Sequence, residues 1–274
     1  MNKRSPIESF DDMMSLEPHG IDVLVGDSLI YPWGRVYGGQ VVAQALTAAL
    51  TTVEERYRPH SLHGYFIRTG TSDEPIRYEV DRIRNGRSFT TRRVVARQST
   101  GAIFNLSASF HADEGDLDIQ THDLPDGVPM PDDLDDDSWT PLIQRRRVPS
   151  EFADGRTATW LRLAEPVGDA PGGHEVALAF LSDDAPYEAA ASVHPDRDPD
   201  AGEEGFELFV GASLDHSMWF HRPAASDDWQ LHILGADGYR NNRGLATGQV
   251  LGINGTHMAT VAQEVVLRRN NSLP

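Results

Sequence analysis

Apolar positions along this chain follow a helical spacing first and a strand-like alternation afterwards, and the same order appears twice. Over 39–50, Val42, Ala45, Leu46 and Ala49 fall on one face of a helix that opens on a Gly-Gly pair. Segments around 61–69, 76–84, 88–98 and 102–111 are rich in Val, Ile, Phe, Tyr and Thr. Turns at Asn85-Gly86 and Thr100-Gly101 separate them, which predicts antiparallel strands. The second round opens with a helix predicted over 175–193. Pro186, which has no N–H to donate, kinks or restarts it near 182–184. Strands are then predicted at 206–222, 229–235, 243–251 and 257–268. A helix followed by a strongly bent antiparallel sheet that wraps it is an α+β arrangement.

The two rounds read as a tandem repeat. Phe66 matches Phe220, Arg68 matches Arg222, Gly101 matches Gly255 and Ala108 matches Ala262, each pair 154 positions apart. Between them, 113–137 carries eleven acidic residues and no Lys or Arg, together with Pro125, Pro129 and Pro131. That composition predicts an extended, solvated linker. The expected organisation is an N-terminal unit over 1–112, an acidic, Pro-rich linker over 113–150 and a C-terminal unit over 151–274.

The charge balance narrows the partners. With 42 acidic against 24 basic residues among 274, the formal charge is −18, and no nucleic-acid partner is expected, because phosphate binding needs a basic surface. The absence of cysteine excludes disulfides, thiolate nucleophiles and Cys-based metal sites. No apolar run approaches the ~18–20 residues of a membrane span, so no membrane partner is expected. The first residues lack an apolar leader, and the last are not a Ser-Lys-Leu address. A cytoplasmic location is the expectation.

Three polar residues of the second half stand where apolar ones are expected. Asp183 interrupts the stripe formed by Val176, Ala179, Phe180, Tyr187 and Ala190. A buried carboxylate there would be poised as a general base, although the spacing also suits an N-cap or a solvated residue. Gln263 shares a strand face with Ala259, Val261, Val265 and Leu267, where its amide would hold a water or a carbonyl, or else bridge two backbone groups. Ser213 opens the polar run GASLDHSMWFHRP. Position 263 corresponds to Ser109 in the first copy, and if the helices align Asp183 falls opposite Gln40 or a near neighbour, so the first copy has no acid there, which suggests one working site and one structural copy.

Other chemistries are poorly supported. No Gly-x-Ser-x-Gly elbow surrounds Ser213. His216 and His221 point to opposite faces of a strand and do not suit a metal. Asp215 and His216, adjacent on a strand, also face apart. Gly38-Gly39 is either a tight turn or a source of N–H groups for a carbonyl oxygen or a phosphate. Arg84, Arg87, Arg92, Arg93 and Arg97 make a basic face that is solvated or meets phosphates.

The stretches RVYGGQVVAQAL (35–46), SLHGYFIR (61–68), RNGRSFTTRRVVARQ (84–98), ASLDHSMWFHRP (212–223) and VAQE (261–264) together resemble the type II acyl-CoA thioesterases, the TesB-type family. The resemblance runs from about Asp22 to Arg268. It implies a double hotdog fold, two helix-and-sheet units in one chain. It also implies hydrolysis of fatty acyl-CoA to free fatty acid and coenzyme A by an activated water, with no metal and no cofactor. The family's catalytic set falls on Asp183, Ser213 and Gln263, with neighbouring Asp184 the alternative acid. Gly38, Gly39, His63 and Arg87 are further candidates for substrate contacts. A homo-oligomer, dimer or tetramer, is expected. The competing readings are a double-hotdog protein that binds acyl-CoA without turning it over, and a hotdog-type enoyl-CoA hydratase or dehydratase.

Overall fold

The computed structural model describes residues 7–31, 33–115, 117–197 and 209–270. Residues 206–208 of the strand expected at 206–222, Asp116 of the linker, and the two chain ends lie outside these. The first half contains α1 (Phe10–Met14), β1 (Glu17–Pro18), β2 (Val23–Gly26), α2 (Gly38–Leu50), β3 (Tyr57–Phe66), β4 (Ile76–Asn85), β5 (Phe89–Gln98) and β6 (Gly101–Ala112). The second contains β7 (Ile143–Val148), β8 (Thr157–Leu163), α3 (Gly173–Leu181), α4 (Pro186–Ala191), β9 (Phe209–Ser213), β10 (Asp215–Phe220), β11 (Gln230–Arg240), β12 (Arg243–Gly252) and β13 (His257–Arg269).

All the strands join one sheet in the order β1-β2-β4-β5-β6-β3-β10-β13-β12-β11-β8-β7, with β9 pairing β13 off this path. Antiparallel pairing of β3 with β10 splices the two halves. Ser217 stands opposite His63, while Tyr65 faces Asp215 and Ser61 faces Trp219. The 154-residue offset read from the sequence is therefore the symmetry of the splice: each half lays the same strand against its copy. Gly101 and Gly255, the matched turn glycines, both have positive φ (110° and 83°), a conformation glycine adopts without steric cost. The α+β double hotdog is the architecture found.

Helix α2 has no solvated stripe. Val41, Val42, Ala43, Ala45, Leu46, Ala48 and Ala49 are all buried, because the helix lies between the sheet and α3. The two helices run antiparallel at close range. A Cβ on Gly172 would sit 2.9 Å from Leu50, and one on Gly39 would collide with the Phe180 carbonyl. Small residues at these crossings let the backbones approach.

Two expected elements are interrupted where chemistry gathers. The helix over 175–193 stops at Leu181 and restarts at Pro186, which takes the first helical position of α4. Asp183 and Asp184 lie in the gap. The strand over 206–222 breaks at Leu214, whose N–H donates to Glu264 and whose carbonyl accepts from Phe66. Ser213 is thereby the last residue of β9, opposite Val265.

The acidic segment after β6 is mostly exposed but not free. Among its described residues, Gln120 bonds the Gly255 carbonyl and the His257 N–H, and the Pro129 carbonyl accepts from Trp160. Leu124, Val128 and Leu134 pack on a small apolar cluster around Trp160 and Leu231. Strand β7, within the span expected as linker, pairs with β8. No described helix is long and apolar enough to cross a membrane.

Candidate active site

The gap between α3 and α4 aims Asp183 at the N-terminus of α2. The Asp183 carboxylate, 7% exposed, accepts the Ser213 hydroxyl proton at 3.0 Å. It also accepts hydrogen bonds from Gln263 and from the Gly39 backbone N–H. Gln263 in turn donates to Ser213 Oγ at 2.8 Å. The three polar intruders, 30 and 50 residues apart, thus form one hydrogen-bonded cluster. Burial pushes the Asp183 carboxyl above the ordinary carboxylate range, against the pull of His216, Gln263, Ser213 and Gly39.

Behind this cluster sits His216, fully buried. Its Nδ1 meets Gln263 Oε1 at 2.5 Å and its Nε2 meets Ser182 Oγ at 2.8 Å. Burial holds the imidazole pKa down, opposed by the Asp183 carboxylate. Asp215 faces elsewhere, accepting from the Glu264 N–H at 2.7 Å. Asp215 and His216, the adjacent pair in the sequence, are thus not bonded to each other.

A cavity of about 940 Å³ opens in front of Asp183, Ser213 and Gly38. Its walls are largely apolar, from Val36, Tyr37, Phe66, Ile103, Trp139 and Phe209, which suits an acyl chain in size and character. Trp33, stacked on Tyr31 with centroids 5.3 Å apart, closes one side. Arg35 and Arg68 also line it. Gln263 does not; it touches Asp183 and Ser213 from the protein side. His63 lies on the outer sheet face, bonded to Ser217 at 3.1 Å and packed on Trp219. Arg87 is exposed in the turn between β4 and β5. Neither borders the cavity.

Asp184 belongs to a different set. Its carboxylate accepts from Arg145 Nε at 2.9 Å and from Trp139 Nε1 at 2.6 Å. Arg145 also pairs with Asp137 and, at 2.8 Å, with Glu188. This buried ion network fixes Trp139 on the cavity wall. Trp139 and Arg145 carry no signal in the sequence, since their shared partner Asp184 comes from a distant segment. Among the described residues no group of His, Asp or Glu is arranged to hold a metal.

In the first half the corresponding polar residues bond elsewhere. Arg92, 2% exposed, donates to Thr52 Oγ1 at 2.7 Å, to the Thr52 and Arg84 carbonyls and to Asn85. Ser109, the counterpart of Gln263, bonds His60 at 2.8 Å.

A twofold-spliced sheet around two antiparallel helices, with a polar cluster on an apolar cavity, defines a double-hotdog enzyme. Residues 30–111 match the family described as acyl-CoA thioesterase N-terminal domain, and residues 121–267 match the acyl-CoA thioesterase C-terminal domain. The chain belongs to the acyl-CoA thioesterase family, hydrolases acting on thioesters. It is 32% identical to mouse acyl-coenzyme A thioesterase 8 over 93% of this chain and 88% of that protein. It is also 32% identical to acyl-CoA thioesterase 2 of Haemophilus influenzae, over 90% of this chain and 93% of that protein. The crystal structure of acyl-CoA thioesterase II TesB2 from Mycobacterium marinum has a TM-score of 0.81 to it. That structure is 32% identical, with 96% of this chain and 99% of that chain covered.

Proposed function

We propose that this protein hydrolyses fatty acyl-CoA to free fatty acid and coenzyme A by direct attack of a water held at Asp183 and Ser213. The observation that carries this reading is the buried Asp183 carboxylate, bonded to Ser213 at 3.0 Å on the wall of an apolar cavity. As a carboxylate, Asp183 takes a proton from the water while the oxygen attacks the thioester carbonyl. Ser213, whose proton points at Asp183, orients the water through its lone pairs and is not the nucleophile. Gln263 holds both side chains in place. First-turn N–H groups of α2 around Gly38 face the developing oxyanion. The tetrahedral intermediate then expels the coenzyme A thiolate, which takes up the proton that Asp183 accepted and leaves as the thiol, restoring the carboxylate.

The acyl chain occupies the cavity between the aromatic walls. Arg35 and Arg68, which line the cavity where Arg87 does not, would pair with the coenzyme A phosphates. The outward His63, Tyr65 and Trp219, two of them large exposed aromatics, make the splice face the candidate contact of a homo-oligomer. We place the enzyme in the cytoplasm, with dissolved acyl-CoA as its substrate, and divide the chain at the acidic segment into the two units 1–112 and 151–274.

The deciding experiment is thiol release from short, medium and long acyl-CoA by the wild type and by Asp183→Asn. Loss of turnover with retained binding of a non-hydrolysable thioether analogue supports the reading. Undiminished turnover in Asp183→Asn defeats it. A protein that binds acyl-CoA without releasing thiol would favour the binding-only alternative.

A further inference from the structure

Gln263 has a shape that leaves its orientation open. The two ends of a side-chain amide are nearly the same size, and only hydrogen-bond partners decide which end is oxygen. Ser213 and Asp183 need N–H donors from Gln263, so the oxygen must point the other way, toward His216. An imidazole Nδ1 facing that oxygen has to carry a proton. The opposite nitrogen, Nε2, lies 2.8 Å from Ser182 Oγ, a hydroxyl able to donate to it. The Ala179 carbonyl, 2.9 Å from Ser182 Oγ, competes for the single proton of that hydroxyl, so the Gln263 oxygen sets the tautomer and Ser182 donates to Nε2 because that nitrogen is then bare. Ser182 is the residue immediately before Asp183, and one short segment therefore meets both ends of the array.

We propose that His216, as the Nδ1–H tautomer, is a positioning residue that holds the Gln263 amide with its nitrogen toward Ser213 and Asp183. His216 touches neither the cavity nor substrate; it acts through Gln263. Without that donor the Gln263 oxygen is left buried and unpaired, so nothing holds the amide in the position from which it donates to Ser213 and Asp183. The hydroxyl and the carboxylate then lose that support together. The water site is dismantled without the loss of any residue that forms it. The inference rests on the proposed roles of Asp183, Ser213 and Gln263.

The test is a double-mutant cycle read in kcat and KM for thiol release, with thermal melting of each protein. The variants are His216→Phe, His216→Asn, Gln263→Met and His216→Phe combined with Gln263→Met. His216→Phe should lower kcat about 10- to 100-fold, the worth of a hydrogen bond to a charged array, with KM within about 3-fold. His216→Asn, which can present an amide N–H near the Nδ1 position, should recover most of that loss. In the Gln263→Met background, His216→Phe should cost nothing further. The ¹⁵N spectrum of labelled protein should show His216 protonated at Nδ1 and bare at Nε2.

A multiplicative loss in the double variant, an Nε2–H tautomer, or full kcat in His216→Phe while Gln263→Met is impaired would each overturn the inference. Full kcat in Gln263→Met would instead overturn the reading of the site, and the inference with it. Should His216→Phe fail to fold, His216→Leu replaces it. It should lower kcat in the wild-type background and leave Gln263→Met unchanged, and an equal loss in both backgrounds overturns the inference.

Discussion

Asp183 and Asp184, joined by one peptide bond, turn their carboxylates into separate networks. That of Asp183 accepts from Ser213 at 3.0 Å, and that of Asp184 accepts from Arg145 at 2.9 Å. The break between α3 and α4 makes this possible, since consecutive residues there need not keep the helical rotation. One acid is left with neutral hydrogen-bond donors at a cavity, and the other is neutralised by a guanidinium.

The two acids should therefore separate activity from stability. Asp183→Asn removes the base and should lower kcat by about 10²–10⁴-fold. Burying its charge is unfavourable, so the same variant should melt at or above the wild-type temperature. Asp184→Asn leaves Arg145 with one carboxylate fewer in a buried site. Asp137 and Glu188 still pair with that guanidinium, so the loss should be about 1–3 kcal/mol, while kcat in the folded fraction changes far less. Thiol-release assays paired with denaturant unfolding decide this, and the reverse pattern would make Asp184 the base.

A raised carboxyl pKa has a definite sign in the rate profile. In the proposed mechanism Asp183 works as the anion, and burial keeps it protonated to higher pH than an exposed Asp. Turnover should fall on acidification with a midpoint above the reference Asp value of 3.8. In a profile of kcat/KM from about pH 4 to 8, the acid limb reports this group. The Asp183→Asn variant should lose that limb along with the rate. The same shift makes folding less favourable as pH rises through the window above 3.8, because the folded state then binds the proton more tightly than the unfolded chain.

Much of this arrangement is legible in the amino-acid order. Asp183, Ser213 and Gln263 each break an apolar pattern, and a polar residue in a buried stripe has to be paired or used. The repeat is legible because each half must build the same strands to splice through His63 and Ser217. What escapes depends on contacts between remote segments. Strand β7 hides in Arg145-Arg146-Arg147, a run that reads as solvated until Asp137, Asp184 and Glu188 neutralise it. Strand alternation turns His216 inward, but nothing in it says that Gln263 and Ser182 wait on either side. His63 and Arg87 sit in family-like motifs, yet the sheet carries one to its outer face and a hairpin carries the other away from the cavity.

Buried histidines should make the protein acid-sensitive well above the range where its carboxylates titrate. Burial holds His232 down to about 4 and His257 down to about 4, with the neighbouring His221 and His122 adding to the effect on His257. Below pH 6.5 the unfolded chain takes up protons that the folded protein refuses until about 4. Stability is thus lost as pH falls through that window. For the fully buried His232 the loss by pH ~5 is on the order of 2 kcal/mol. Urea unfolding at about pH 7 and pH 5 should show the decline, with a shallower one in His232→Leu. Equal slopes in the two proteins would mean that His232 is protonated in the folded state.

Gly38 gives a steric test of the same site without touching a polar group. It opens α2 at an ordinary helical conformation, so alanine there meets no backbone strain and gains helix propensity of up to about 1 kcal/mol. The added Cβ, however, would lie 2.5 Å from Asp183 Oδ2 and 2.9 Å from Phe66. The carboxylate has to swing away from the cavity wall, stretching its bonds to Ser213 and the Gly39 N–H. A displacement near 1 Å at a reacting group costs about 10²-fold in rate. Gly38→Ala should accordingly keep its melting temperature within a few degrees of wild type while kcat drops by that order. Binding of a thioether analogue, followed by calorimetry, should weaken much less, because the acyl walls formed by Val36, Ile103 and Phe209 are untouched. Wild-type kcat in a folded Gly38→Ala protein would show that Asp183 does its work from another position.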